Sequence, residues 1–266
     1  MSNRIMLFIP AYNCEKQIPR VLQKIDARVQ QYVQQIVIID NRSTDNTLQA
    51  AKQAAIDLGL KNVVLLRNQE NYSLGGSIKR AFMYAIENHY DYVISLHGDD
   101  QADIRDMLPS LESGDYQNQD LTIGARFHKD STLQGYSFVR RMGNKALNLA
   151  CALINRRRVD DLIAGLNCFK VSFLKDQFFL RFPNNLTFDA HLLLYAFNKK
   201  ATIKYIPVTW REEDQISNAK VVRQALIILR LFAAYVFQGE KVFADNKSGR
   251  PNDFVYQSEV IFDSGN

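Results

Sequence analysis

Four side chains able to hold a metal ion or move a proton crowd one short stretch: His97, Asp99, Asp100 and Asp103. They follow an apolar run, Tyr92-Val93-Ile94-Ser95-Leu96, that reads as a buried strand. A strand ending in converging carboxylates is where an α/β protein places a metal or a reacting group. Aspartates are hard oxygen ligands that hold Mg²⁺ or Mn²⁺ through one or two carboxylates, leaving other positions to water and phosphates. Three aspartates in so short a span also describe a solvated loop. Asp40-Asn41 closes another apolar run and can accept hydrogen bonds from a base or a ribose. Gly75-Gly76-Ser77 precedes a helical pattern and would let backbone approach a phosphate, although a double glycine there is also a simple tight turn. Asp160 and Asp161 are adjacent, so on an extended segment they point apart and form no acid/base dyad.

The elements that must deliver these groups follow from periodicity. Residues 4–9, 35–40, 62–66 and 92–96 read as strands. Helical patterns separate them: one from Pro19, one over 44–58, one from Ser77. Strand and helix in alternation predict a Rossmann-like, mostly parallel sheet flanked by helices, with ligands at the carboxyl ends of the strands. The pattern changes after Asp103. A helix through Met107 and Leu111, a strand at 121–124 and a basic helical segment with Arg140, Arg141 and Lys145 come next. An extended stretch at 162–170, a helix at 188–198, a strand at 202–208 and a long helix at 216–237 complete the chain. In that last helix Leu226, Leu229, Ala233 and Val236 form one stripe, expected to pack in the core; a basic amphipathic helix on a membrane surface is the second reading. The expected organisation is one α/β domain over 1–239, with 1–105 binding a nucleotide and 106–239 an acceptor. Residues 240–266 lose periodicity and are expected as a loose tail.

The 266 residues suffice for one such domain, and 47% hydrophobic with 23% charged residues is ordinary for a globular protein. A net charge of +5 suits an anionic partner without choosing among a nucleotide sugar, an anionic lipid and nucleic acid. Cys14, Cys151 and Cys168 are odd in number and lack CxxC spacing, which favours a reduced, cytoplasmic setting. The apolar start is too short for a signal peptide. The most apolar segment, 225–237, is shorter than the ~20 residues a spanning helix needs and contains Arg230.

Four motifs stand in order: Ile9-Pro10-Ala11-Tyr12-Asn13, the run from Ile38 through Asp40-Asn41 to Thr47, Asn71-Tyr72-Ser73-Leu74-Gly75-Gly76, and His97-Gly98-Asp99-Asp100-Gln101. Their order and spacing resemble family 2 glycosyltransferases, inverting enzymes of the GT-A fold. The second half resembles more narrowly the polyprenyl-phosphate, dolichol-phosphate mannose synthase-like branch, through the segment from Asp161 to Phe169, Phe188-Asp189, Pro207-Val208-Thr209-Trp210 and Ser217-Asn218-Ala219-Lys220. The resemblance implies a nucleotide-sugar pocket lined by Pro10, Ala11, Tyr12, Asn13 and Glu15, with Asp40 and Asn41 at the base and Asn68, Gly76 and Lys79 completing the wall. His97, Gly98, Asp99 and Gln101 would face the diphosphate, with Asp99 and His97 on Mg²⁺ or Mn²⁺. Arg126, Arg140 and Arg141 would meet an acceptor phosphate, and Asp161 would be the catalytic base. Three positions depart from the family pattern: His97 and Asn41 stand where carboxylates are usual, and Asn167 where an arginine is.

The activity so implied moves a sugar from a UDP- or GDP-type donor to a polyprenyl-phosphate or lipid-linked acceptor in cell-envelope glycan synthesis. It would take place in the cytoplasm, peripherally on the inner face of the membrane and without nucleic acid. A soluble or glycan acceptor is the alternative. A non-catalytic nucleotide-sugar-binding protein is the reading from another class, and two copies forming a homodimer is a further expectation.

Overall fold

A computed structural model describes residues 3–162, 164–213 and 221–265. The motif residues Ser217 to Lys220 and the predicted helical start at 216–220 lie outside the described residues. The strands are β1 (Ile5–Ala11), β2 (Gln35–Asp40), β3 (Val63–Asn68), β4 (Tyr92–Leu96), β5 (Leu121–Ala125), β6 (Thr132–Gln134), β7 (Leu166–Lys170), β8 (Ile203–Pro207), β9 (Thr209–Arg211) and β10 (Ser258–Asp263). The helices are α1 (Ile18–Gln23), α2 (Ala27–Gln30), α3 (Thr47–Asp57), α4 (Ser73–Glu87), α5 (Leu108–Ser113), α6 (Phe138–Asn155), α7 (Val171–Leu174), α8 (Phe188–Asn198) and α9 (Val221–Gln238).

Among the described residues one large sheet has the order β10-β3-β2-β1-β4-β7-β5-β8, and β6 pairs with β9 beside it. β3, β2, β1 and β4 run parallel, as do β5 and β8, while β7 is antiparallel to both its neighbours. Every residue of β1 and of β4 is buried, as a parallel strand covered on both faces requires. The pleat divides the core in two. Met6 and Phe8 join the cluster under α4, α8 and α9, and Ile5, Leu7 and Ile9 join the one under α1 and α3. The α/β sheet flanked by helices is as the strand and helix patterns predict.

Two expectations are corrected. The residues expected as a loose tail include β10, which pairs antiparallel with β3 at the sheet edge. The tail is held further by Tyr256, edge-on to Tyr72 at 5.2 Å. The stripe Leu226, Leu229, Ala233 and Val236 faces solvent, and Ile228, Leu231 and Phe232 are the buried ones. α9 is apolar around most of its girth, so spacing alone did not choose the inner side. No helix among the described residues is long and apolar enough to cross a membrane.

Candidate functional site

The donor-side motifs meet at the carboxyl ends of β1, β2 and β4. Ala11 pairs with Asp40 in the parallel ladder, which sets the loop after β1 beside the loop after β2. Side chains then knit these loops together. Asn13 N–H donates to Ser43 Oγ, Cys14 N–H to Thr47 Oγ1 at 2.7 Å, and Asn46 N–H to Glu15 Oε2. Tyr12, 45% exposed, stands beside them with its ring open to solvent. Asp40 is buried; Oδ1 accepts from Ser43 N–H, while Oδ2 has no hydrogen-bond partner. Arg67 Nε lies 3.3 Å from that oxygen but also makes no hydrogen bond. A buried carboxylate oxygen that has an ion-pair partner but no hydrogen bond can still accept from a ligand's N–H.

Gly98 brings the β4 loop onto this wall. Its N–H donates to Pro10 O, and a Cβ there would sit 2.8 Å from that same oxygen. Beyond it the three aspartates have different fates. Asp99 is half-buried and accepts from Gln101 N–H at 3.2 Å, with no cation paired to it among the described residues. Asp100, at φ +63, turns away into full burial and is held by Arg20 Nε at 2.7 Å, Lys24 Nζ at 2.6 Å and Arg211. Asp103 caps the following turn and pairs with Arg105 at 2.6 Å. The wider carboxylate cluster is thus structural, and Asp99 alone stays available. His97 donates its N–H to Gly165 O at 2.9 Å, and its ring lies against Gly165, where a Cβ would be 3.3 Å away. No group of three or more His, Cys, Asp or Glu converges among the described residues. The residues present fit a cation held mostly by the donor's diphosphate, with Asp99 as the protein's anionic ligand and His97 beside it.

Other predicted positions have structural employment. Asn41 Oδ1 accepts from Asn68 Nδ2 and Tyr72 N–H, both at 2.9 Å, so these asparagines brace the wall from behind. Gly76 is corrected: it lies inside α4, where a Cβ would be 2.5 Å from that of Tyr72, and Gly75 meets Pro183 O in the same way. The glycine pair serves close packing of α4 against Tyr72 and the 183–188 segment. Lys79 is corrected too. Its buried ammonium donates to Phe182 O, Leu180 O, Asn184 Oδ1 and Tyr256 OH, tying 180–184 to the C-terminal segment. Burial pulls its pKa down to about 7.

Among the residues expected to meet the acceptor, Arg126 and Asp161 form a buried, bidentate pair. Asp161 Oδ2 accepts from Arg126 Nε at 2.7 Å and from its backbone N–H, and Oδ1 accepts from Nη2 at 2.7 Å. The guanidinium lies over Trp210, 5.0 Å from the ring centre. Burial opposes its charge, yet the Asp161 carboxylate beside it holds its pKa above the ordinary value. Both oxygens of Asp161 are therefore spent on Arg126, and the expectation of Asp161 as base and Arg126 as phosphate ligand is replaced by a structural pair. Arg140 pairs with Glu212 at 2.5 Å, and Glu212 accepts from Gln101 Nε2 at 3.4 Å, linking the Asp99 loop to α6. Arg141 has a buried Nε without a partner.

One residue given no role in the sequence reading stands out. Asp189, in the first turn of α8, is buried with no hydrogen bond recorded to it among the described residues. Burial raises its pKa to about 6, with His97 nearby pulling the other way. It borders a cavity of about 20 Å³ shared with Asn167 and Leu162. An acidic residue opening a helix in an apolar setting was the available signal. The three thiols are buried, which pushes each up to about 12 and leaves them inert.

Residues 6–180 match the model of glycosyl transferase family 2. The chain belongs to that family. Its relatives include the dolichyl-phosphate beta-glucosyltransferase of Saccharomyces cerevisiae, 23% identical over 232 residues, covering 80% of this chain and 67% of the yeast protein. Another is the UDP-N-acetylglucosamine–dolichyl-phosphate N-acetylglucosaminyltransferase of Methanococcus voltae, 24% identical over 181 residues, covering 64% of this chain and 71% of that one. Among solved structures, glucosyl-3-phosphoglycerate synthase of Mycobacterium tuberculosis, in complex with Mn²⁺, UDP and phosphoglyceric acid, superposes with a TM-score of 0.59. It is 15% identical and covers 97% of this chain and 86% of its own. That likeness shows the GT-A fold.

Proposed function

We propose that this glycosyltransferase moves a sugar, with inversion, from a nucleoside-diphosphate sugar to a polyprenyl-phosphate acceptor at the cytoplasmic face of a membrane, in the assembly of cell-envelope glycans. The carrying observation is the strand-end wall, where Asp40, whose Oδ2 faces Arg67 without a hydrogen bond, stands with the exposed ring of Tyr12 and with Asp99, which has no cation paired to it among the described residues. Asp40 takes the base N–H and Tyr12 stacks on the base. Asp99, assisted by His97, would hold Mg²⁺ or Mn²⁺, which would supply positive charge to offset the charge of the departing diphosphate. The dolichyl-phosphate acceptors named for the yeast and archaeal relatives support a lipid-phosphate acceptor, and the UDP in the archaeal relative's name, with the UDP bound in the mycobacterial structure, supports a UDP donor. We assign Arg141, whose buried Nε has no hydrogen-bond partner, to the acceptor phosphate.

A panel of UDP-, GDP-, CMP- and dTDP-sugars tests the donor wall by thermal shift. UDP-sugars raise the melting temperature of the wild type by mass action, and Asp40→Ala abolishes the shift while transfer at saturating donor is affected less. A panel in which no nucleotide shifts the wild type rejects the wall.

The proton acceptor in this reading is Asp189. A hydroxyl acceptor needs full deprotonation in the transition state, which makes a base worth roughly 10²–10⁴-fold. A phosphate acceptor is already anionic, so Asp189 removes at most its last proton and Asp189→Asn costs only about tenfold. The size of that loss decides between lipid-phosphate and glycan acceptors. Its effect on stability has a definite sign. The folded pKa is raised, so the stabilising contribution is complete below about 4 and lost as pH rises through about 6. Asp189→Asn removes that loss, and its melting temperature gains on the wild type as pH rises from about 4 through about 6 and then stays ahead.

A further inference from the structure

We propose that the outward faces of α6 and α9 together form a docking surface for an anionic lipid bilayer. α6 packs along α9, and both bury their opposite faces in one core: Leu147 and Cys151 from α6, Ile228, Leu231 and Phe232 from α9. Their outer faces therefore look away from the same side of the sheet. On α6 the outer stripe is Phe138, Met142, Leu149 and Leu153, with Phe138 74% and Leu153 70% exposed. On α9 it is Leu226, Leu229, Val236 and Phe237, the last 87% exposed. Scattered apolar residues are normal on a surface, but two neighbouring helices each carrying a full outward stripe are not.

Charge selects the occupant. Neither helix contains an aspartate or a glutamate, while α6 carries Arg140, Arg141 and Lys145 and α9 carries Arg223 and Arg230. Lys145, Arg223 and Arg230 are exposed beside the apolar stripes. A second copy of this face would bring cations against cations. A bilayer with anionic headgroups takes the apolar side chains below the headgroups and the cations among them, the signature of helices lying in the interface plane. The exposed turn after α6 adds Arg156 in the same sense. Position fits as well: through Arg140, Glu212 and Gln101 the start of α6 is wired to the Asp99 loop. A lipid whose phosphate rises from the membrane under α6 thus meets the site without leaving the bilayer. This last point rests on the acceptor proposed above; the docking surface itself does not.

The test is flotation of the full-length protein with vesicles of phosphatidylcholine, alone or mixed with phosphatidylglycerol, lacking both donor and polyprenyl phosphate. The protein floats with the mixed vesicles, and added salt weakens the binding. Leu149→Glu with Leu229→Glu lowers binding by on the order of tenfold or more, with an unchanged melting temperature because both side chains already face water. Arg223→Gln with Arg230→Gln keeps the apolar stripes and loses only the preference for anionic vesicles. No flotation on mixed vesicles, or a glutamate variant that floats like the wild type, overturns the proposal. So does a lipid-free dimer that the same glutamates dissociate. Because the vesicles hold no acceptor, failure here leaves the lipid-phosphate reading standing, and that reading fails separately if polyprenyl phosphate is not glycosylated in detergent.

Discussion

Asp99→Asn leaves the fold intact and lowers sugar transfer by roughly two to three orders of magnitude. The fold survives because Asp99 gives the protein little: one hydrogen bond from Gln101 N–H at the head of a turn. Transfer does not, because no neighbour can take its place. Asp100 is enclosed by Arg20, Lys24 and Arg211, and Asp103 is spent on Arg105 and on its own turn. His97 remains, but a neutral imidazole brings no charge to a divalent cation. Mn²⁺ titrations of the variant therefore show weaker metal activation, and a chelator drives the wild type to the activity of the variant. Measured transfer that resists chelation and is indifferent to Asp99→Asn would remove the metal from the mechanism. A wild type that binds a UDP-sugar with no transfer and no donor hydrolysis would instead mark a binding protein.

Asp161→Asn has its large effect on stability. It withdraws the counter-charge from a guanidinium enclosed by Trp210, Phe127 and Tyr136. Removing one partner of a buried pair costs about 3–5 kcal/mol, since the other charge stays buried without compensation. For a chain of this size that lowers the melting temperature by roughly 10 °C. The companion variant is Arg126→Met with Asp161→Leu, which removes both charges at similar volume and recovers much of the loss. If Asp161 were the base, Asp161→Asn would keep its melting temperature and lose transfer alone. Calorimetry and a transfer assay on the same preparations separate the two.

The donor half was legible in the chain to a useful depth. Strands that must be buried on both faces read as continuous apolar runs, and in a parallel sheet the residues just past them, Asp40 and His97 to Gln101, have to gather at one edge. What was not legible was which polar residues already had partners. Asp99 and Asp100 are neighbours of one type, and only the left-handed turn at Asp100 sends one toward solvent and the other into a nest of cations. Asp161 read as a base because nothing in the chain announces that Arg126, thirty-five positions earlier, consumes both its oxygens. Lys79 read as a pocket residue because its partners lie as far off as Tyr256. In α9 the apolar period was right and the side wrong, since the helix is apolar around most of its girth and spacing does not choose which stripe faces the core. Asp189 went unassigned because its depth beneath the surface, and not its type, makes its chemistry.

The pairing of β10 with β3 also protects the sheet from foreign strands. Ser264 N–H donates to Val63 O, a contact closed across most of the chain, and Ser258 faces Asn68 in the same ladder. Without β10 in place, β3 would be a bare edge with its backbone groups unpaired, the kind of edge that recruits foreign strands. Such distant pairings form slowly because the loop entropy is spent before the contact returns anything. β3, though it belongs to the first half of the chain, is thus covered only by a strand far away in sequence, and a molecule in which β10 has not docked is open to aggregation along that edge.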